Sequence, residues 1–434
     1  MYSFSIKDYR AIKSANIRID GITVLAGVNG SGKSTLSRWM YYLINATHEF
    51  ENYQRKYLIE SLETEVNKIQ RLFRGIPKNN GYQIVSRQLN QLLMDDELDL
   101  DVLENIYYSF EIKAEEDLKE YATNFNMPRR LAMYLIGNEA SEGLDSDTII
   151  KTYLQECRTT YDSGLSIYKE KIDLYLKRDL ERVIASEFSD GEQFPSNISM
   201  AEGEKNLIES DHFTPPLMLS RAIYIDSPMA VSGRNYFFGK DIWGEFHEYL
   251  YEENPEKKEK DVVSLSTQIQ SVIGGEIQLK EDKFDLDKEL HYISKDSGID
   301  INIEDAATGI KSFAYLSQLL KNGWLDKETL LLIDEPEAHL HPQWIVEFAR
   351  LLVKIRKELG VKIVIASHNP DMVAAIQSIA QKEQVIDDVV FYLAEKKDNE
   401  VNYTFVDKGI EISDIFESFN IALSRIELYG STKM

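Results

Sequence analysis

The chain has 434 residues, 43% of them apolar and 28% charged, with a formal net charge of −24 at pH 7. That is long enough for one large core plus an attached lobe, and too apolar for a disordered chain. No apolar run reaches the length of a membrane-spanning helix, the N-terminus lacks a signal-peptide pattern, and the single cysteine, Cys157, excludes an internal disulfide or a cysteine-built zinc site, so a cytoplasmic protein without a membrane partner is expected.

In chain order, Tyr2–Ile6 and Ala15–Ile19 alternate in part and predict a hairpin about Asp8-Tyr9-Arg10. Gly21–Ala26 predicts a short buried strand and Lys33–Ala46 the helix after it. From about residue 47 to 190 the periodicity is helical. Leu58, Leu62, Val66, Ile69 and Phe73 make one apolar stripe. A longer stripe from Ile150 to Val183, through Cys157, predicts a single helix of roughly 50 Å at about 1.5 Å per residue. Ser189–Pro216 is polar and contains glycine, and predicts a linker or mobile loop.

Short strands are then expected at Arg221–Ile225, Glu276–Lys280, Leu290–Ser294 and Ile299–Ile303. Leu330–Ile333 and Val361–Ala366 are fully apolar strands joined by the amphipathic helix Gln343–Glu358, which makes a βαβ unit. Val389–Leu393, Val401–Phe405 and the helix Ile412–Phe419 close the chain. The expected organisation is one α/β domain, 1–46 with 215–434, interrupted by a helical insertion with its linker at 47–214.

Gly27-Val28-Asn29-Gly30-Ser31-Gly32-Lys33-Ser34 fits G-x-x-x-x-G-K-[ST], with an apolar strand before it and a helix after it. Glycines there let backbone N–H groups turn in on phosphates, and the helix N-terminus adds donors. Gly27, Asn29, Gly30, Ser31, Gly32, Lys33, Ser34 and Thr35 are the candidate ATP-binding residues, with Lys33 on the β- and γ-phosphates and Ser34 on Mg²⁺. Leu330-Leu331-Leu332-Ile333-Asp334-Glu335 is a buried strand ending in two acids. Asp334 is the second candidate Mg²⁺ ligand and Glu335 the candidate base for the attacking water. His368, directly after the next apolar strand, is the candidate γ-phosphate sensor. His339 and His341 alternate in a loop with no further ligand near in sequence, which argues against a metal pair.

The P-loop, Asp-Glu-Pro-Glu-Ala-His-Leu-His-Pro (Asp334–Pro342) and Ser367-His368-Asn369-Pro370, with Ile6-Lys7-Asp8-Tyr9-Arg10 ahead of the P-loop, resemble the ABC-type ATPases of the SMC, RecF and OLD (overcoming lysogenization defect) group. The resemblance covers about 1–46 and 221–434 and implies an α/β P-loop NTPase head of the ABC type carrying a helical lobe. It implies ATP sandwiched head-to-tail in a homodimer, with a signature loop acting on the partner's nucleotide. Ala306–Ser312 is the matching stretch, and Thr308, Gly309 and Lys311 are its candidates in trans. It departs from the usual Leu-Ser-Gly-Gly-Gln, and none of Gln83, Gln88 and Gln91 is a convincing Q-loop glutamine. By the same resemblance the ATP cycle regulates a separate effector protein, a nuclease among the candidates, as in bacterial anti-phage systems.

Two alternatives stand beside that reading. A DNA-maintenance ATPase needs a basic surface, for which Lys68–Arg87 (Lys68, Arg71, Arg74, Lys78 and Arg87, with no acid among them) is the candidate on an otherwise acidic chain. A transporter ATP-binding subunit fits less well, because Lys33 and Asp334 lie so far apart in sequence.

Overall fold

A computed structural model describes residues 1–72, 87–89, 100–125, 145–171, 174–188, 193–226, 242–255, 263–281, 288–397 and 400–419. The chain divides into two compact units, Met1–Glu49 with Tyr175–Met434, and Phe50–Leu174.

The first unit opens with β1 (Tyr2–Tyr9), β2 (Ile12–Ile19), β3 (Ile22–Ala26) and α1 (Lys33–His48). The second unit carries α2 (Phe50–Leu72), α3 (Leu100–Phe125) and α4 (Ser146–Lys171). The first unit resumes with α5 (Lys177–Val183), β4 (Ile198–Glu202), β5 (Lys205–Asn206), β6 (Arg221–Ile225), α6 (Ile242–Tyr251) and α7 (Val263–Ile273). Then follow β7 (Glu276–Glu281), β8 (Lys288–Ser294), β9 (Ile299–Asn302), α8 (Thr308–Lys321), β10 (Thr329–Asp334) and α9 (Pro342–Leu359). The last elements are β11 (Lys362–Ser367), α10 (Pro370–Lys382), β12 (Val389–Glu395), β13 (Tyr403–Gly409) and α11 (Ser413–Phe419).

Ten strands form one mixed sheet in the order β5-β4-β1-β2-β13-β12-β3-β11-β10-β6, and β7-β8-β9 form a small antiparallel one. The run β12-β3-β11-β10-β6 is parallel throughout. Ile223, Ile225, Leu331, Ile333, Ile363 and Ile365 share one core with α8, α9 and α10. Side chains alternate along a strand, so their neighbours in sequence face the other side, where α1 packs on β6, β10 and β11. Both faces are covered, which is why these strands are continuously apolar.

Two expectations about the middle of the chain are corrected. The stripe from Ile150 to Val183 is two helices. Tyr175 takes a left-handed φ of 44° and Leu176 is extended, so the helical path ends before α5 begins. Ser189–Pro216 is not a free linker. Its residues Ile198–Ile208 include β4, which pairs antiparallel with β1 from Tyr2↔Glu202 to Ile6↔Ile198, and β5 beyond it. Met200 is 2% exposed in that pairing. The inserted unit therefore ends at Leu174 and not at 214, and 175–214 belongs to the ATPase side.

In the second unit Leu58, Leu62, Leu103, Phe110, Leu154 and Cys157 share a core. Tyr107 and Tyr161 stack there at 3.6 Å between ring centroids. Phe73, Ile172, Gln83, Gln91 and most of the basic stretch 68–87 lie outside the described residues. Among the described residues, no helix is long and apolar enough to cross a membrane.

Candidate nucleotide site

The parallel strands end along one edge. In register, Ala26 of β3 stands beside Ser367 of β11, Ala366 beside Asp334 of β10, and Ile333 beside Ile225 of β6. The loops that leave these strand ends carry nearly every residue the motifs single out.

The P-loop leaves β3 and enters α1 through Gly32. That glycine has φ 98°, and a Cβ there would sit 2.6 Å from Ile12 Cγ1 on the opening hairpin, so no other residue fits. No side chain caps α1, and no acid lies in its first turn, which leaves its N-terminal donors suited to an anion. Val28, Asn29 and Gly30 are exposed, and Ser31 is buried with its Oγ lacking a hydrogen-bond partner. Lys33 is 4% exposed and donates to the Gly27 and Val28 carbonyls at 2.9 and 3.0 Å, curling back over its own loop. Burial pushes its pKa down, and the nearby carboxylates of Asp334, Glu335 and Glu337 oppose that shift.

By the alternation along β10, Asp334 points to the α1 side. It is 5% exposed, and burial pushes its pKa up. Ser34 lies beside this carboxyl and Tyr224 donates to its Oδ2 at 3.2 Å, while Oδ1 is buried without a hydrogen-bond partner. A desolvated carboxylate with one bare oxygen, beside a hydroxyl on the P-loop helix, fits a hard divalent cation. Ser34 and Asp334 are the residues that would hold Mg²⁺, and the ion would neutralise phosphate charge there. Among the described residues, no cluster of three or more His, Cys, Asp or Glu side chains forms a self-contained metal site. The donor set thus needs ligands from phosphate and water.

Glu335 follows Asp334 with a left-handed φ of 48°, which turns its side chain away from the strand's alternation. Its amide donates to the Ala366 carbonyl at 2.8 Å, so the turn is tied to β11. His368 Nδ1 lies 3.2 Å from Glu335 Oε1 and 3.5 Å from Glu337 Oε1. Glu337, 6% exposed, accepts from Ser367 Oγ at 2.8 Å and from the His368 amide at 3.1 Å. Burial raises its pKa. Glu335 and His368 are therefore side by side at the mouth of the site, and Glu337 is the clasp beneath them.

Thr308, Gly309 and Lys311 occupy the first turn of α8. A Cβ on Gly309 would sit 2.9 Å from Trp344 Cζ3 and 3.3 Å from Leu340 Cδ2, so the glycine is required by packing within the chain. Lys311 donates to the Glu304 carbonyl at 2.7 Å. Among the described residues, no hydrogen bond or ion pair joins these three to the P-loop. His341 caps α9, accepting from the Gln343 amide at 3.3 Å, which accounts for it without a metal.

Three residues at the site were given no role by the motifs: Glu337, which lies inside one of them, and Tyr224 and Asp226, which lie outside. Arg38 of α1 pairs with Asp226 at 3.3 Å and stands 5.9 Å from the centre of the Tyr224 ring. The signal for the last two is topological. Apolar β6 runs parallel beside β10, so the residues at its end reach the same edge.

A P-loop at a parallel strand end, facing a buried aspartate and a glutamate–histidine pair, defines a P-loop ATPase of the α/β class. The chain matches the AAA ATPase domain family over residues 1–373 and belongs to it. It is similar to the energy-coupling factor transporter ATP-binding protein EcfA3 of Clostridium perfringens, with 34% identity over 105 residues, 24% of this chain and 36% of that protein. It is similar also to the methionine import ATP-binding protein MetN of Lactobacillus delbrueckii subsp. bulgaricus, with 34% identity over 107 residues, 23% of this chain and 29% of that protein. The chain thus spans about a third of the length of the curated relatives it matches. Among solved structures it is similar to an Smc head domain from Pyrococcus furiosus bound to the C-terminal domain of ScpA (12% identity, TM-score 0.36, covering 98% of this chain and 100% of that one). The SMC head domain from Thermotoga maritima gives 10% identity and a TM-score of 0.35, covering 93% and 97%.

Proposed function

We propose that this ATPase binds Mg²⁺-ATP at the strand-end site and closes it with a second copy of the chain. Lys33 exchanges the Gly27 and Val28 carbonyls for phosphate oxygens. Ser34 and Asp334 hold Mg²⁺. Glu335 orients and deprotonates the attacking water, and His368, steadied at Nδ1 by the carboxylates, keeps Nε2 for the γ-phosphate. The observation that carries this reading is the convergence of Lys33, Ser34, Asp334, Glu335 and His368 on one edge of the sheet.

Support for closure by a second copy comes from solvent access. The side chains of Glu335 and His368 are 36% and 40% exposed, and hydrolysis at a site this open lacks the exclusion of bulk water that such chemistry uses. A partner's Thr308 loop is the cover we assign, by the resemblance of Ala306–Ser312 to a signature loop. The resemblance of Asp334–Pro342 and Ser367–Pro370 to OLD-like ATPases supports a separate effector protein as what the cycle regulates.

The test is Glu335→Gln with ATP and MgCl₂, followed by light scattering and by phosphate release. The expected result is retained ATP binding, turnover lowered by at least about 100-fold, and a stable dimer. Wild-type turnover removes Glu335 as the base, and a monomer at saturating ATP removes the closure.

A further inference from the structure

We propose that Tyr224 is a positioning residue for the magnesium ligand Asp334, and that Arg38 sets the direction of its hydroxyl. This rests on reading Asp334 as a ligand of Mg²⁺. Tyr224 is 1% exposed on β6, in register with Leu332 of the neighbouring β10. Its hydroxyl reaches past that position to donate to Asp334 Oδ2 at 3.2 Å.

The Arg38 guanidinium lies beside the same ring, 5.9 Å from its centre, and is anchored on Asp226 Oδ2 at 3.3 Å. A guanidinium has donors and no acceptor. Towards Arg38 the tyrosine oxygen can therefore only accept, and its one proton goes to Asp334. That occupies Oδ2 and leaves Oδ1, the oxygen without a partner, as the one turned to the cation. Without the hydroxyl, the carboxyl is free to rotate and offers either oxygen. Packing alone does not call for a tyrosine: the ring sits 6.2 Å from that of Tyr41, a contact that phenylalanine makes equally well.

The experiment is a MgCl₂ titration of the full chain with ADP, read as the rise in melting temperature, with a parallel ADP series in EDTA. Tyr224→Phe is expected to raise the half-saturating Mg²⁺ concentration about tenfold, the usual loss when a ligand's supporting partner is removed. Its stabilisation by ADP in EDTA should match the wild type. Arg38→Gln, at a half-exposed position, is expected to shift the Mg²⁺ midpoint in the same direction by less. A wild-type midpoint in Tyr224→Phe overturns the proposal, and so does an equal loss of ADP binding in EDTA, which marks a general structural defect. Should Tyr224→Phe fail to fold, Arg38→Gln decides, and an unshifted midpoint there overturns it. Asp334→Asn should lose the Mg²⁺ response altogether; if it keeps the wild-type midpoint, the metal assignment fails and this proposal with it.

Discussion

Asp334 shows how a site residue destabilises the nucleotide-free fold. Its carboxylate is buried with one oxygen unpartnered, at a cost of about 1–3 kcal/mol. Because burial raises its pKa, the stability it contributes is present below the ordinary carboxylate range and lost as pH rises through the folded-state value. Asp334→Asn is therefore expected to raise the melting temperature of the nucleotide-free protein at pH 7. The gain should shrink as pH falls through the folded-state value of Asp334, below which both side chains are neutral. A mutant less stable than wild type at pH 7 would contradict this account. Gly309 is constrained differently. Gly309→Ala forces a methyl against Trp344 and should cost about 1–3 kcal/mol in denaturant unfolding. Thr308 is thus the cleaner probe of any action in trans.

At the scale of elements, β4 and β1 decide whether residues 193–206 are structure or tether. Met200 is buried where β4 pairs with β1. Met200→Ala should cost about 2–4 kcal/mol, as for a core position, whereas a substitution in a tether stays within about 0.5 kcal/mol. Equilibrium unfolding in urea separates the two. This region also marks where the sequence was least legible. The parallel strands were readable because both faces are buried and their apolar runs are unbroken, as in Leu330–Ile333. The P-loop and Asp334-Glu335 were readable because the motif names them.

β4 is five residues long, lies one strand in from the sheet's edge, and pairs with β1 nearly 200 residues away, so little local pattern marks it in the sequence. The stripe from Ile150 to Val183 kept helical spacing across a break that depends on the backbone of Tyr175, which spacing does not report. The roles of Tyr224 and Glu337 were not legible for a related reason. Each depends on partners brought close by the fold, Asp334 for Tyr224 and Ser367 with the His368 amide for Glu337.

For the whole molecule, the net charge of −24 bears on assembly. Two such chains repel on approach, so ATP-dependent dimerisation should strengthen when salt rises from about 50 to 200 mM, as the Debye length shortens. Light scattering of Glu335→Gln at the two salt concentrations checks this, and a dimer that dissociates with salt would point to a charge-complementary contact instead. Mixing supplies a second test. Lys33→Ala and Thr308→Ala proteins are each expected to lack turnover, yet a mixed pair retains one complete site and should recover part of the wild-type rate. Two inactive parents that never complement would count against closure in trans.

The helical unit enters after Glu49 and returns at Tyr175, and on the ATPase side α1 and α5 are packed against each other across that gap. Both ends of the insertion are thus anchored by the head itself. Replacing 50–174 with a short glycine–serine bridge should leave a head that still takes up nucleotide. The lobe then becomes an exchangeable cassette, free to diverge in sequence and length while the nucleotide chemistry stays unchanged.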